Sequence, residues 1–138
     1  MDIKEQKIKF VCPLITVSDI KKSRDFYETV LEQEVESDYG ENISFGRFAI
    51  HLKPHFKMLI NNKDIIVGAN NFELYFECDN IEQIVEKLKI EHVEFIHELQ
   101  EQPWKQLVVR FYDPDKNIIE IGESMEHLTF RLHKQTTD

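Results

Sequence analysis

One acidic side chain stands inside an otherwise apolar run near the end of the sequence. The run is Ile118-Ile119-Glu120-Ile121, and its length and composition are typical of a buried β-strand. Burying an ionised carboxylate costs several kcal/mol unless the group is paired or coordinates a metal ion. Glu120 therefore needs a partner, either a metal ion or a basic or phenolic side chain such as that of Arg110.

The alternation of side chains along the predicted strands places further side chains that can bind a metal ion on one face of each sheet. In the predicted strands every second residue is large and apolar, so each predicted sheet has an apolar face that can pack under a helix. The opposite face of each sheet has mixed polarity. These mixed faces carry Cys12, His51, Glu73 and Glu120, all of which have side chains that can bind a metal ion.

Each of these side chains also has a purely structural interpretation. His51 fits a solvated histidine on a sheet, and Glu73 fits an exposed acid like its neighbour Glu77. Cys12 fits a small buried hydrophobic residue, because free cysteines usually behave as one. Its apolar neighbours would keep the thiol protonated and inert.

The predicted elements occur twice in the same order. Each copy reads as a strand, a capped helix and three more strands, which is an internal repeat of about 60 residues. The first copy is predicted as a strand over 7–17, a helix from the Ser18-Asp19 cap to residue 31, and strands over 35–39, 42–45 and 48–52. Residues 53–69 are predicted to be an irregular connector with at most one helical turn, at 56–60. The second copy is predicted as strands over 72–77, 93–96, 107–112 and 118–121 and a helix over 81–88, with a short helix after Ser124.

Two motifs resemble the vicinal oxygen chelate superfamily, which includes glyoxalase I, bleomycin-resistance proteins and extradiol dioxygenases. They are LITVSDIKKSRDFYETVL, which starts at Leu14, and FYDPDKNIIEIGE, which ends at Glu123. The resemblance covers about residues 8–123. It implies an α+β fold in which two βαβββ modules form half-open β-barrels with helices packed outside. We therefore expect residues 1–138 to form a single glyoxalase-like domain, with modules at about 8–60 and 70–122 and a C-terminal tail at 124–138.

The resemblance also implies a ligand set. Carried over by motif spacing, the four metal positions of the superfamily fall on Cys12, His51, Glu73 and Glu120. Glyoxalase I has His or Gln, then Glu, His and Glu there, so only Glu120 matches in type. We predict that His51, Glu73 and Glu120 converge on a divalent ion such as Zn, Ni, Mn or Fe, with Glu73 or Glu120 as the catalytic base. Cys12 is predicted to line the cavity beside the metal position without binding the ion.

The only tryptophan of the chain lies in the segment between two predicted strands of the second module. The resemblance implies that this segment borders the cavity, where Trp104, Gln102 and Arg110 would clamp a small ligand by stacking and hydrogen bonds. Tyr75, on the mixed face with Glu73, is predicted to line the same site. The alternative is a tryptophan that plugs the edge of a barrel.

Composition limits the partners and the compartment. The formal net charge of −9 disfavours binding to nucleic acid or to an anionic membrane surface. No apolar run approaches the length of a membrane-spanning helix, and the first residues lack the apolar core of a signal peptide. Two cysteines without close spacing indicate a reducing compartment, so a cytoplasmic location is expected.

Two functions remain open from the sequence. The first is a divalent-metal-dependent lyase or isomerase of the glyoxalase type that acts on a substrate with vicinal oxygens. The second is a metal-free protein that sequesters an antibiotic or another small molecule, as bleomycin-resistance proteins do. A homodimer is expected in either case, because half a barrel could not bury its apolar face alone, and the modules could pair within one chain or between two.

Overall fold

A computed structural model describes residues 7–137 of the chain. The chain divides into two compact units. The first extends to Glu28 and continues over Glu32–Ile65, and the second consists of Thr29–Leu31 and the chain from Ile66 onward. Each unit contains one four-stranded sheet.

The first unit has a mixed sheet in the order β1-β4-β3-β2. Its strands are β1 (Leu14–Val17), β2 (Ser37–Asp38), β3 (Asn42–Ser44) and β4 (Ala49–Leu52), and its helices are α1 (Ile20–Asp25) and α2 (Lys53–Leu59). Strands β1 and β4 are parallel, and the other neighbours are antiparallel. The chain leaves β1 through helix α1 and comes back to pair with β1 only at β4, because parallel neighbours need a long connection between them.

Helix α1 begins where the sequence predicts a cap. The side chain of Asp19 accepts a hydrogen bond from the backbone N–H of Lys22 at 3.0 Å, which satisfies a donor in the first helical turn. After Asp25 the helix widens into a π-helical turn over Phe26–Val30. Tyr27 in this turn is fully buried, and it lies against the core rings of Phe45 and Phe48. The aromatic cluster anchors the helical segment of the first unit.

The second unit repeats the arrangement with longer strands, in the order β5-β8-β7-β6. Its strands are β5 (Glu73–Cys78), β6 (Glu94–Glu101), β7 (Leu107–Tyr112) and β8 (Ile118–Glu123), and its helices are α3 (Ile81–Ile90) and α4 (Met125–Thr137). Strand β5 is parallel to β8, and β7 is antiparallel to both β6 and β8. One face of this sheet is apolar and includes Val109, Phe111 and Ile119, all fully buried.

The fold predicted from the sequence is confirmed. Both sheets are built from a βαβββ unit, which is the α+β architecture that the repeat indicated. The connection between strands β7 and β8 also follows the sequence, because the Asp113 carboxylate accepts hydrogen bonds from the backbone N–H groups of Asp115 and Asn117.

Several predicted boundaries are wrong, among them the following three. Strand β1 begins at Leu14 and not at residue 7, and the segment before it exposes Phe10 and Val11 to solvent. The predicted connector starts with helix α2, whose first turn accommodates Pro54 because the N–H groups there need no intrahelical partner. Strand β6 continues to Glu101, because two register shifts let it follow β7 beyond residue 96.

No helix within residues 7–137 is long and apolar enough to cross a membrane.

Candidate functional site

A row of polar side chains crosses the face of the second sheet opposite its apolar core. Tyr75 on β5 and Arg110 on β7 are both in register with Glu120 on β8, and His97 on β6 is in register with Arg110. Because side chains alternate along a strand, Glu73 lies on the same face as Tyr75. We call this surface the polar face of the second sheet.

Arg110 connects the acidic groups of this face. Its Nε donates to Glu73 Oε1 at 3.1 Å, and its Nη2 donates to Glu120 Oε1 at 2.7 Å. Its Nη1 lies 3.2 Å from His97 Nε2. The Glu120 side chain is 6% exposed and that of Glu73 is 34% exposed, so one carboxyl group is buried and the other reaches solvent.

The two carboxyl groups titrate differently because of this arrangement. Burial, together with the hydrogen bond and negative charge of Glu73, raises the pKa of Glu120 to about 7. Burial also tends to raise the pKa of Glu73, but hydrogen bonds with Glu120 and Arg110 outweigh it and leave that pKa below its ordinary value. The pair can therefore hold one proton at neutral pH, on Glu120, while Glu73 stays ionised.

A second chain of hydrogen bonds runs along the same face. The indole N–H of Trp104 donates to Gln106 Oε1 at 2.7 Å, and Gln106 Nε2 donates to the Tyr75 hydroxyl at 2.8 Å. That hydroxyl donates to Glu77 Oε2 at 2.6 Å. Burial and the hydrogen bond to Glu77 raise the pKa of Tyr75 to about 12, so the phenol stays protonated. Trp104 and Tyr75 remain 55% and 47% exposed, so both rings are available for stacking.

Gly122 makes room for this chain of hydrogen bonds. A Cβ atom at this position would lie 2.5 Å from Gln106 Nε2 and 3.0 Å from the Tyr75 hydroxyl. These atoms are the ends of flexible side chains, so they can move away at a small cost. The absence of a side chain at residue 122 is what lets Gln106 reach Tyr75 across the sheet.

Gly122→Ala is therefore expected to break the Gln106–Tyr75 hydrogen bond while it changes the free energy of unfolding by only about 1 kcal/mol. Because Gln106 also accepts from Trp104, the emission maximum of the tryptophan should shift. Tryptophan fluorescence together with urea denaturation measures both effects. An unchanged spectrum would show that the hydrogen-bond chain does not depend on Gly122.

The arrangement of the second unit does not fit a divalent ion at Glu73 and Glu120. The guanidinium of Arg110 already lies between these carboxylates, and a divalent ion bridging them would meet its positive charge at close range. Within residues 7–137, neither unit contains a group of three or more His, Cys, Asp or Glu side chains placed to hold one ion. The cation that neutralises this pair is Arg110.

The other predicted metal ligands lie in the first unit. His51 on β4 is 4% exposed, and its Nε2 lies 2.7 Å from Nδ1 of His55 on α2. Burial, and then the neighbouring His55, lower the pKa of His51. Cys12 is a half-buried free thiol that precedes β1. The convergence of His51 with Glu73 and Glu120 stays a prediction, as does a cavity beside Cys12.

Most of the chain matches a known protein family. Residues 10–126 match the family model described as "Glyoxalase-like domain". The chain belongs to this glyoxalase-like domain family. The predicted resemblance to the vicinal oxygen chelate superfamily is thereby confirmed.

Solved structures agree with this assignment. A protein of unknown function from Agrobacterium tumefaciens str. C58 is 36% identical, with a TM-score of 0.79 over 88% of this chain and 98% of that chain. A lactoylglutathione lyase from Agrobacterium tumefaciens is 17% identical, with a TM-score of 0.65 over 85% of this chain and 95% of that one. A glyoxalase/bleomycin resistance protein/dioxygenase from Nocardioides is 16% identical, with a TM-score of 0.68 over 88% and 87% of the two chains. The last two similarities show the fold alone. No curated protein matches the sequence significantly.

Four of the predicted site residues of this glyoxalase-like domain lie together on the polar face of the second sheet. They are Glu73, Tyr75, Arg110 and Glu120. Trp104 joins them through Gln106, whose buried amide was not predicted. Gln102, the predicted partner of Trp104, forms backbone hydrogen bonds that close the turn to Gln106 and Lys105.

An ion pair that was not predicted from the sequence anchors helix α4 of the glyoxalase-like domain. Glu123 is fully buried, and its carboxylate accepts from Arg131 Nε at 2.8 Å and from Arg131 Nη2 at 3.0 Å. His127 Nδ1 lies 2.6 Å from the same carboxylate. Burial tends to raise the pKa of Glu123, but the hydrogen bonds from Arg131 and His127 outweigh it and lower that pKa. Glu123 is the last residue of strand β8, so helical spacing does not connect it with His127 and Arg131, and no short-range pattern in the sequence signals this ion pair.

Proposed function

We propose that this glyoxalase-like domain binds a small organic molecule on the polar face of its second sheet, without a divalent ion at Glu73 and Glu120. The observation that carries the proposal is the Arg110 guanidinium, which hydrogen-bonds both carboxyl groups. Of the two functions left open by the sequence, this supports the metal-free one. The predicted homodimer stays a prediction.

The chemistry of the face favours a planar ligand without negative charge. Trp104 and Tyr75 present exposed aromatic surface, on which a flat ring can stack. Their neighbours Glu73 and Glu77 carry carboxylates, which favour a positively charged ligand. The aromatic rings favour one too, because a ring attracts a cation through its π-electrons. Arg110 offers little to an anion, because its positive charge already faces the carboxyl groups of Glu73 and Glu120, and three of its N–H groups point to Glu73, Glu120 and His97.

A second candidate function is proton transfer on the bound molecule. Its support is the carboxyl pair, in which Glu120 has a pKa of about 7 and Glu73 stays ionised. An acid and a base with separated pKa values are what an isomerase or a lyase needs at neutral pH. Glu73 would take a proton from the ligand, and Glu120 would return one to another atom of the ligand.

Trp104 gives a direct test of binding, because it is the only tryptophan of the chain. We would titrate chelator-treated protein with three quinolines of similar shape: N-methylquinolinium, quinoline and quinoline-2-carboxylate. The proposal predicts saturable quenching, strongest for the cation and weakest for the anion. Tyr75→Leu should weaken binding of the cation about three- to tenfold through the loss of stacking.

Tyr39→Leu provides the matched control. Tyr39 belongs to the first unit and is 78% exposed, so its loss should leave the titration unchanged. Stronger quenching by the anion than by the cation would contradict the proposed site. So would an equal loss of binding in Tyr39→Leu and Tyr75→Leu. Quenching that appears only after a divalent ion is added would support the metal-dependent alternative.

A further inference from the structure

Helix α4 holds the turn that carries Trp104. Arg131 Nη2 donates to the backbone carbonyl oxygen of Lys105 at 2.7 Å. The same guanidinium donates from Nε and Nη2 to the carboxylate of Glu123, at 2.8 and 3.0 Å. That carboxylate also accepts from the backbone N–H of Leu107 at 3.2 Å. The backbone is therefore tied to one guanidinium on the helix at two places close to Trp104, once directly and once through a carboxylate.

A third contact connects the indole itself to this ion pair. Gln106 Oε1 accepts from the indole N–H of Trp104 at 2.7 Å, and Gln106 Nε2 donates to the backbone carbonyl of Glu123 at 2.9 Å. Gln106 is 2% exposed, so its amide is confined by its neighbours. The position of the indole thus depends on the residue whose carboxylate Arg131 holds.

Trp104 needs such support because little else fixes its place. It is 55% exposed, so more than half of its surface meets solvent instead of packing partners. The residue after it is strained, since Lys105 has a φ of 79°, in the left-handed region that favours glycine. Backbone hydrogen bonds from Lys105 to Gln102 and from Gln102 to Gln106 fix the shape of the turn. They do not tie it to helix α4 or to strand β8.

We propose that Arg131 is a positioning residue for the ligand site on the polar face of the second sheet. Its guanidinium holds the backbone of Lys105 and the carboxylate of Glu123, and these contacts keep the exposed indole of Trp104 where a flat ligand can stack. Helix α4 therefore takes part in ligand binding without touching the ligand. This inference rests on the proposed function, which gives the stacking role to Trp104.

Arg131→Lys tests the inference. A lysine keeps a positive charge near Glu123, but it lacks the planar fork that reaches the carboxylate and the Lys105 carbonyl together. Without any ligand, the indole band of the near-UV circular dichroism spectrum should weaken and the fluorescence anisotropy of Trp104 should fall, because the indole becomes more mobile. N-Methylquinolinium should bind about two- to tenfold more weakly, which corresponds to the loss of one hydrogen bond.

Leu128→Ala is the matched control for a general loss of stability. Leu128 is buried on the same helix, so its truncation weakens the packing of α4 but leaves the side chain of Arg131 in place. The two indole signals and the affinity for N-methylquinolinium should stay at their wild-type values. Urea denaturation shows that each variant is folded under the conditions of the titration.

Lys105→Gly tests the contribution of the strained residue. Glycine adopts a φ of 79° without strain, so the turn should keep its shape with less help from Arg131. In the Lys105→Gly background, Arg131→Lys should therefore weaken binding by less than about twofold, and the two substitutions should not be additive.

A measurement on the wild-type protein needs no substitution. Saturating N-methylquinolinium should shift the NMR signal of the Arg131 Nε–H group, which is joined to the Trp104 turn through Glu123. The Nε–H signal of Arg24, which pairs with Glu28 in the first unit, should stay in place. A cation that saturates the quenching of Trp104 but leaves the Arg131 signal unchanged would contradict the inference.

Three further results would overturn it. They are unchanged indole signals or affinity in Arg131→Lys, equal losses in Arg131→Lys and Leu128→Ala, and an undiminished effect of Arg131→Lys in the Lys105→Gly background. The indole signals are recorded without ligand, so they show whether Arg131 positions Trp104 even if the cation does not bind the wild-type protein. Failure of the cation to bind would overturn the proposed function, and the two failures can thus be told apart.

Discussion

Replacing Arg131 with methionine is expected to lower the free energy of unfolding by about 3–5 kcal/mol. The substitution leaves the carboxylate of Glu123 fully buried without its bidentate partner. His127 and the backbone N–H of Leu107 also contact this carboxylate, but neither replaces a fixed positive charge. Urea denaturation followed by circular dichroism measures the loss.

The matched control is Arg47→Met. Arg47 is exposed in the first unit, so its substitution should change the free energy of unfolding by less than about 0.5 kcal/mol. A double variant, Arg131→Met with Glu123→Leu, should recover part of the loss, because no unpaired buried charge remains. If Arg131→Met costs no more than Arg47→Met, the buried ion pair does not anchor helix α4.

The second large effect concerns pH and Glu120. Its pKa is raised in the folded protein to about 7 from an ordinary value of 4.5, so the folded state holds a proton that the unfolded chain has released. The stability that Glu120 contributes is complete below pH 4.5 and is lost as the pH rises through 7. The loss amounts to about 3–4 kcal/mol, since each pKa unit corresponds to about 1.4 kcal/mol.

Other groups titrate in this range, so the comparison must isolate Glu120. The lowered pKa of His51 acts in the opposite direction, because a buried neutral imidazole gains stability as the pH rises. The difference in unfolding free energy between the wild-type protein and Glu120→Gln cancels such contributions. As the pH rises from 5 to 8, the wild-type protein should lose stability relative to Glu120→Gln. These two pH values bracket the folded-state pKa of about 7.

Glu77→Gln is the control for the pH experiment, since Glu77 is an exposed glutamate on strand β5 of the same unit. Its difference from the wild-type protein should change little over this range. A flat difference for Glu120→Gln would show that Glu120 is ionised throughout and that its burial does not hold a proton.

The features that could be predicted from the sequence depend on short-range patterns. Alternating apolar residues predicted strand β7, and the cap at Asp19 predicted the start of helix α1. The turn that begins at Asp113 was also predictable, because its carboxylate bonds backbone groups only two and four residues away. Because such strand and helix patterns occur twice in the same order, they sufficed to predict the α+β architecture.

The partners of the candidate site could not be predicted, because they depend on cross-strand register. The sequence left Glu120 with a metal ion or with a basic or phenolic side chain such as that of Arg110, and the pairing of β7 with β8 places Arg110 opposite it. His97 was missed because strand β6 reaches Arg110 only after a register shift. His55 was missed because an irregular connector gives no helical spacing to His51, whereas helix α2 brings the two imidazoles together.

The central claim is that Arg110, and not a divalent ion, neutralises Glu73 and Glu120 on the polar face of the second sheet. Equilibrium dialysis against Zn²⁺, Ni²⁺, Mn²⁺ or Fe²⁺, followed by metal analysis, tests it with Arg110→Met alongside. The wild-type protein and Glu120→Gln should retain the same amount of metal, because Glu120 holds no ion. Arg110→Met should retain more metal than the wild type. Retention by the wild-type protein of about one ion per chain that is lost in Glu120→Gln would contradict the claim.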